Sequence, residues 1–178
     1  RDLHAFPTRR SSDLGFLRGI EAVAYTQAWS RITSDGHAEG THVTLDAGAG
    51  RIANPAIFAR PTDFRMISVR ARLAERLARI DIDEALFDFG GPRIKTVAAI
   101  DNVLDKPRLT LRADLMGVTT EDVKRLWPVP VSPNTHDWIV ANLSEGRVPS
   151  ALAEVALRAD NAEWSNIVLE QARLDFTV

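Results

Sequence analysis

Apolar residues recur at every second position over most of this chain. Ile67, Val69, Ala71 and Leu73 share one side while Ser68, Arg70 and Arg72 take the other. Ile80 and Ile82 alternate with Arg79, Asp81 and Asp83; Leu109, Leu111, Ala113 and Leu115 alternate with Arg108, Thr110, Arg112 and Asp114. Strict period two is the signature of a strand with one face buried and one wet. The same alternation predicts strands through Thr41–Leu45, Ile94–Ile100, Ala151–Leu157 and Ala172–Val178, and a first strand over Gly19–Arg31, where the alanines leave a helix as the alternative. The phase shifts around Glu84-Ala85 before Phe87 and Phe89 resume it, which predicts a bulge. Turn signals separate these runs at Ser34-Asp35-Gly36, Gly90-Gly91-Pro92 and Asp105-Lys106-Pro107. Ala47-Gly48-Ala49-Gly50 breaks the second run, and Ile52-Ala53-Asn54-Pro55 with Ala59-Arg60-Pro61 brackets a loop or edge segment.

One stretch departs from this rhythm. Thr119-Thr120-Glu121-Asp122 carries a capping-box-like pattern with acids in the first turn, and Trp127-Pro128 stops the helix that follows. Ser132 then reads as the N-cap of a second helix with Pro133 at its first position and Gly146 just past its end. Trp138, Ile139 and Leu143 form one apolar flank of that helix. The short connections elsewhere make neighbouring strands antiparallel. The expected fold is therefore mainly β: a curved antiparallel sheet forming an open groove, with a short two-helix insertion around residues 119–145. Two short helices cannot cover the whole apolar face of such a sheet.

The chain has 178 residues, 45% of them hydrophobic, enough for a real core. With 22 Lys and Arg against 24 Asp and Glu, its near-neutral charge gives no support to a nucleic-acid or anionic-membrane surface. The absence of cysteine excludes thiol catalysis, disulfides and Cys-containing zinc sites. No apolar run reaches the roughly 18 residues of a membrane span. Residues 1–14 stand apart. Asp2-Leu3-His4-Ala5-Phe6-Pro7-Thr8-Arg9-Arg10-Ser11-Ser12-Asp13-Leu14 resembles a translated short-read sequencing adapter, with Ala5 as the one departure, and is set aside as a non-native segment. The alternative is a basic, Ser-rich arm for an acidic partner. On the adapter reading the true N-terminus is missing and an upstream signal or anchor remains open; the alternation at Ala172–Val178 stops mid-strand, so both ends read as cut.

Enzyme signatures are scarce. Asp81 and Asp83 share a strand face and paired carboxylates can perform acid–base work, but Arg70, Arg72 and Arg79 beside them fit a charge-balanced outer face better. His37, His42 and His136 lack metal-ligand spacing. Gly48, Gly50, Gly90 and Gly91 belong to no phosphate-loop pattern, and no nucleophile elbow surrounds a serine. Trp127 and Trp138 can stack on a ligand, yet helix-to-sheet packing explains them more simply. The expectation is no catalysis, no metal and no cofactor.

Leu126-Trp127-Pro128, followed by Pro133, Trp138-Ile139-Val140, Asn142-Leu143 and Gly146-Arg147-Val148, resembles the AsmA-like proteins of Gram-negative bacteria, in their YhdP-type branch as found in alphaproteobacteria. Gly50-Arg51-Ile52-Ala53-Asn54-Pro55-Ala56-Ile57-Phe58, Arg79-Ile80-Asp81-Ile82-Asp83 and Phe89-Gly90-Gly91-Pro92 are similar to that family as well. The resemblance covers nearly all of residues 15–178, and the family supplies no catalytic motif to transfer. It implies an internal fragment of a periplasmic β-groove, anchored to the inner membrane through missing parts and flanked by neighbouring groove segments of the same chain. It further implies phospholipid transfer between the inner and outer membranes. On that expectation the groove lining is Val69, Ala71, Leu73, Ile80, Ile82, Leu109, Leu111, Leu115, Val155 and Leu157, and nucleic acid is not a partner. The alternative is a periplasmic scaffold of envelope biogenesis, in which the same residues form a closed core without ligand.

Overall fold

A computed structural model of the protein describes residues 19–34, 38–55, 57–129, 131, 133–142, 144–164 and 166–177. The chain runs β1 (Ile20–Ile32), β2 (Ala38–Ile52), β3 (Thr62–Phe64), β4 (Met66–Leu73), β5 (Arg79–Asp88), β6 (Arg93–Asp101), β7 (Arg108–Thr119), α1 (Thr120–Leu126), α2 (Pro133–Asn142), β8 (Arg147–Arg158) and β9 (Val168–Thr177). All nine strands belong to one antiparallel sheet in the order β1-β2-β4-β5-β6-β7-β8-β9, and β3 pairs with β2 beside β4. Among the described residues the sheet is open, with β1 and β9 at its two ends. This is the mainly β, open-sheet architecture with a two-helix insertion that alternation and capping signals anticipate.

Opposed residues in an antiparallel ladder point to the same face, so the register sorts the two faces directly. One face carries successive cross-strand rows. Thr41, Leu73, Ile80, Ile100, Leu109 and Leu157 form the first, and Val43, Ala71, Ile82, Ala98, Leu111, Val155 and Ala172 the second. Leu45, Val69, Ala85, Thr96, Ala113, Ala153 and Leu174 form the third; Ala47, Ile67, Phe87, Ile94, Leu115 and Ala151 the fourth. The other face carries ions. Register shifts between Arg70 and Ala71 and between Ile82 and Ala85 put a bulge in β5 where the phase change predicts one. The bulge leaves Asp83 as the extra residue. It keeps Ile80 and Ile82 on the same face as Ala85 and Phe87.

Elsewhere the structure corrects the local expectations. The Ala47–Gly50 segment does not end β2; the strand continues to Ile52, with one extra residue absorbed where the register jumps between Ala22 and Ala24. α2 ends at Asn142 rather than just before Gly146; Gly146 instead offers its carbonyl to the Thr120 N–H at the start of α1, 3.1 Å away. Trp138 is not part of a buried flank: it is 59% exposed, whereas its neighbour Ile139 is buried. Asp35 and Gly36 of the turn that Ser34 opens, His37, Ser132, Leu143 and residues 1–14 lie outside the described residues.

α1 begins as its sequence predicts. Thr119 caps the helix through its hydroxyl, which accepts the Asp122 N–H at 3.1 Å, while the Asp122 carboxylate accepts the Thr119 N–H at 3.1 Å. This reciprocal box satisfies two donors that helix starts otherwise leave open. The helix ends as Trp127 turns extended ahead of Pro128. The main core sits at this end of the sheet, where Ala47, Ile52, Phe58, Phe64, Ile67, Phe89 and Leu126 pack together.

Candidate functional site

The ten candidate lining residues all fall on the apolar face. Leu73, Ile80, Leu109 and Leu157 lie in the first row, Ala71, Ile82, Leu111 and Val155 in the second, Val69 in the third and Leu115 in the fourth. Nine of them are half-buried; Leu157 is buried at 8% exposure. The structure brings equivalent positions to the same surface that the candidate set omits: Val43, Leu45, Phe87, Ile94 and Ile100. Their alternation is visible in the sequence, but adjacency to the candidates depends on strand order.

A strap crosses this face at one end. The loop after β2 and the linker between α1 and α2 meet in an isolated antiparallel bridge between Phe58 and Pro128. The Val129 N–H donates to the Ile57 carbonyl at 2.9 Å. In the sheet order β4, β5 and β6 lie between the strands that launch these two segments. Their junction therefore spans the intervening strands. Beneath it Phe58 meets Phe89 edge-on, with centroids 6.2 Å apart, and Phe87 stacks on Phe89 at 6.4 Å. Leu126, the last residue of α1, is buried in the same cluster, and Ile94 and Val69 pack against it. Nothing in the period-two pattern identified this strap: Phe58 sits in a loop bracketed by prolines, and its partner lies seventy residues on. Beyond the strap, the larger side chains of the first three rows stay half-exposed between β2 and β8, apart from buried Leu157.

The opposite face is a lattice of ion pairs. Arg72 grips Asp83 at 2.6 Å, Arg79 bridges Asp81 at 2.8 Å and Asp101 at 2.6 Å, and Glu84 sits between Arg70 at 3.0 Å and Lys95 at 2.8 Å. Hydrogen bonding from Arg79 holds the Asp81 carboxyl below its ordinary range, and Lys95 does the same for Glu84. Asp81 and Asp83 are thus each engaged by a different arginine. Asp81, its carboxyl lowered, is thereby kept ionised and not protonated as a general acid must be. A depression of about 590 Å³ lies on this face over the centre of the sheet, lined by side chains that flank the second apolar row, among them Arg72, Asp83, Val97, Thr110, Arg112 and Glu154. Its charges are matched within itself, for Arg112 also lies 3.6 Å from Glu154.

The aromatic and histidine candidates occupy other places. The His42 ring stacks on Trp29 at 5.4 Å on the ion-bearing face near one sheet edge. His136 on α2 tilts against Trp127, and its Nε2 lies 3.2 Å from the Lys124 carbonyl. The Trp127 indole N–H donates to the Val131 carbonyl. These contacts tie α2 and its linker back to α1 rather than open a stacking slot. Among the described residues no three His, Asp or Glu side chains converge in a metal-binding arrangement, and no helix is long and apolar enough to cross a membrane.

No family model matches the chain, and neither the curated proteins nor the solved structures include a significant match.

Proposed function

We propose that the apolar sheet face carries lipid acyl chains, and that the protein is a section of a periplasmic, inner-membrane-anchored lipid-transfer protein of the AsmA-like, YhdP type. The observation that supports this reading is the single-layered sheet itself. Its apolar face runs over seven strands, is strapped at one end and remains half-exposed along the rest of its length. Soluble proteins rarely leave so continuous an apolar surface in water. Strands of ten to twelve residues extend about 33–40 Å, and each methylene withdrawn from water onto such a surface contributes about 0.8 kcal/mol. An acyl chain needs only a continuous apolar lining, which rows centred on Ile82, Leu111 and Val155 supply. The resemblance of Leu126-Trp127-Pro128 and Gly146-Arg147-Val148 to the family supports the choice of phospholipid and of the periplasm.

Native mass spectrometry of the purified chain tests the proposal. Co-purifying phospholipid is expected, and Leu111→Asp, which sets a carboxylate in the middle of the second row, is expected to abolish it while the β-sheet circular dichroism persists. A folded wild-type protein that carries no lipid, and takes none from phospholipid vesicles, would overturn it. The scaffold reading would then hold.

A further inference from the structure

The strap covers a surface of the same kind as the one it leaves open. Ala47, Ile67, Phe87 and Ile94 continue the apolar face into its fourth row. Phe58 and Leu126 pack onto that row, and Ala47 and Ile67 beneath them are 4% and 6% exposed. Leu45 and Val69 of the third row lean on the same cluster, so covered and uncovered rows are continuous. Hydrophobic contact is non-directional, and a methylene chain satisfies such a lining as a phenyl ring does.

The strap is also lightly fastened. Phe58 and Pro128 form a single isolated bridge, and among the described residues one backbone-to-backbone hydrogen bond, from the Val129 N–H to the Ile57 carbonyl, joins its two halves. The Ile57 and Phe58 N–H groups donate within their own half, to the Asn54 carbonyl, and the Val131 N–H donates within the other, to the Pro128 carbonyl. The strands beneath are laddered along nearly their whole lengths. Segments with so few backbone bonds open ahead of the sheet they lie on.

We infer that the strap is a built-in competitor for the acyl-chain surface: Phe58 occupies the fourth row in place of an acyl chain, and an arriving chain displaces it and widens the trough by that row. This rests on the reading of the apolar face as an acyl-chain surface and adds to it a closed state. A ligand that needs the strap open binds with an apparent affinity reduced by the fraction of molecules that are open. The coupling is reciprocal. Lipid loosens the strap, and whatever fastens the strap weakens lipid binding.

Two measurements with palmitoyl-oleoyl phosphatidylglycerol vesicles test the two directions of this coupling. In the wild type, lipid uptake is expected to speed hydrogen exchange at the Val129 amide, whose bond to Ile57 breaks, while amides in the centre of β6 stay protected. In the second measurement the strap is tied shut. Ile57 and Val129 stand next to the Phe58–Pro128 bridge and share a backbone bond. Opposed residues of an antiparallel pair have Cα atoms about 4.5–5.5 Å apart, within reach of a disulfide. The chain contains no cysteine, so Ile57→Cys with Val129→Cys makes one bond that a reductant opens. The oxidised double variant is expected to take up severalfold less lipid, counted by native mass spectrometry, than the same protein after reduction. Lipid bound with exchange at Val129 unchanged, or equal uptake by the oxidised and reduced forms, would overturn the displacement and leave the acyl-chain surface standing. A chain that takes up no lipid in any form would overturn both.

Discussion

At the scale of single residues, Gly50 shows how this sheet reads its sequence. It is opposed to Ala22 on one side and Phe64 on the other. A Cβ at this position would lie only 2.6 Å from the Ala22 Cβ, 2.7 Å from the Phe64 ring and closer still to the Glu21 carbonyl. The glycine is there because the Glu21 carbonyl, the Ala22 side chain and the Phe64 ring close in on it within a strand, not because the chain turns. Gly50→Ala is expected to lower stability by about 1–3 kcal/mol through overpacking, read as a lower midpoint in urea with an unchanged slope. Gly48, two residues earlier and with open space beside it, provides the contrast: the same substitution there meets nothing. The two glycines look alike in the sequence, since what separates them is the partner strand that each faces.

At the scale of elements, the strap decides how much of the apolar face is closed. Phe58 is 8% exposed and holds the loop after β2 to the helical linker. Phe58→Ala is expected to cost about 3–5 kcal/mol, the range for emptying a buried aromatic site. The loss falls first on the strap. Hydrogen exchange at the Val129 amide, bonded to the Ile57 carbonyl, should accelerate by more than exchange at amides in the centre of β6. Equal acceleration at both sites would mean that the strap and the sheet open as one unit. α1 was legible in advance because its cap is local, needing only Thr119 and Asp122 three residues apart. The strap was not, because Phe58 and Pro128 meet only after β4, β5 and β6 have set the distance between them.

At the scale of the whole molecule, the ion-bearing face ties stability to pH. Hydrogen bonds from Arg51, Arg79 and Lys95 hold Asp63, Asp81 and Glu84 below their ordinary values. For Asp122, burial acts upward, but its bonds to Thr119 and Arg125 outweigh that effect and the result is also a lowered value. A carboxylate whose folded pKa is depressed contributes stability that is fully present above the unfolded value. That contribution is lost as pH falls through the folded value. With unfolded carboxylates near about 4, the melting temperature is expected to be level from pH 7 to about pH 5 and to fall below pH 4. The ion pairs are largely exposed, so each contributes little alone. A melting temperature that does not decline between pH 5 and pH 3 would show that the ladder is energetically silent.

The sequence by itself determined the faces. A side-chain period of two is a property of each strand, so Val69, Ile82, Leu111 and Val155 had to share a side with their own neighbours. The β5 bulge likewise showed as a local break in phase. Strand order, the meeting of Phe58 with Pro128, the covering of Gly50 and the exposure of Trp138 were decided only in the tertiary structure. Each depends on which strand lies beside which, and hydrophobic burial does not specify a partner until the ladder is assembled.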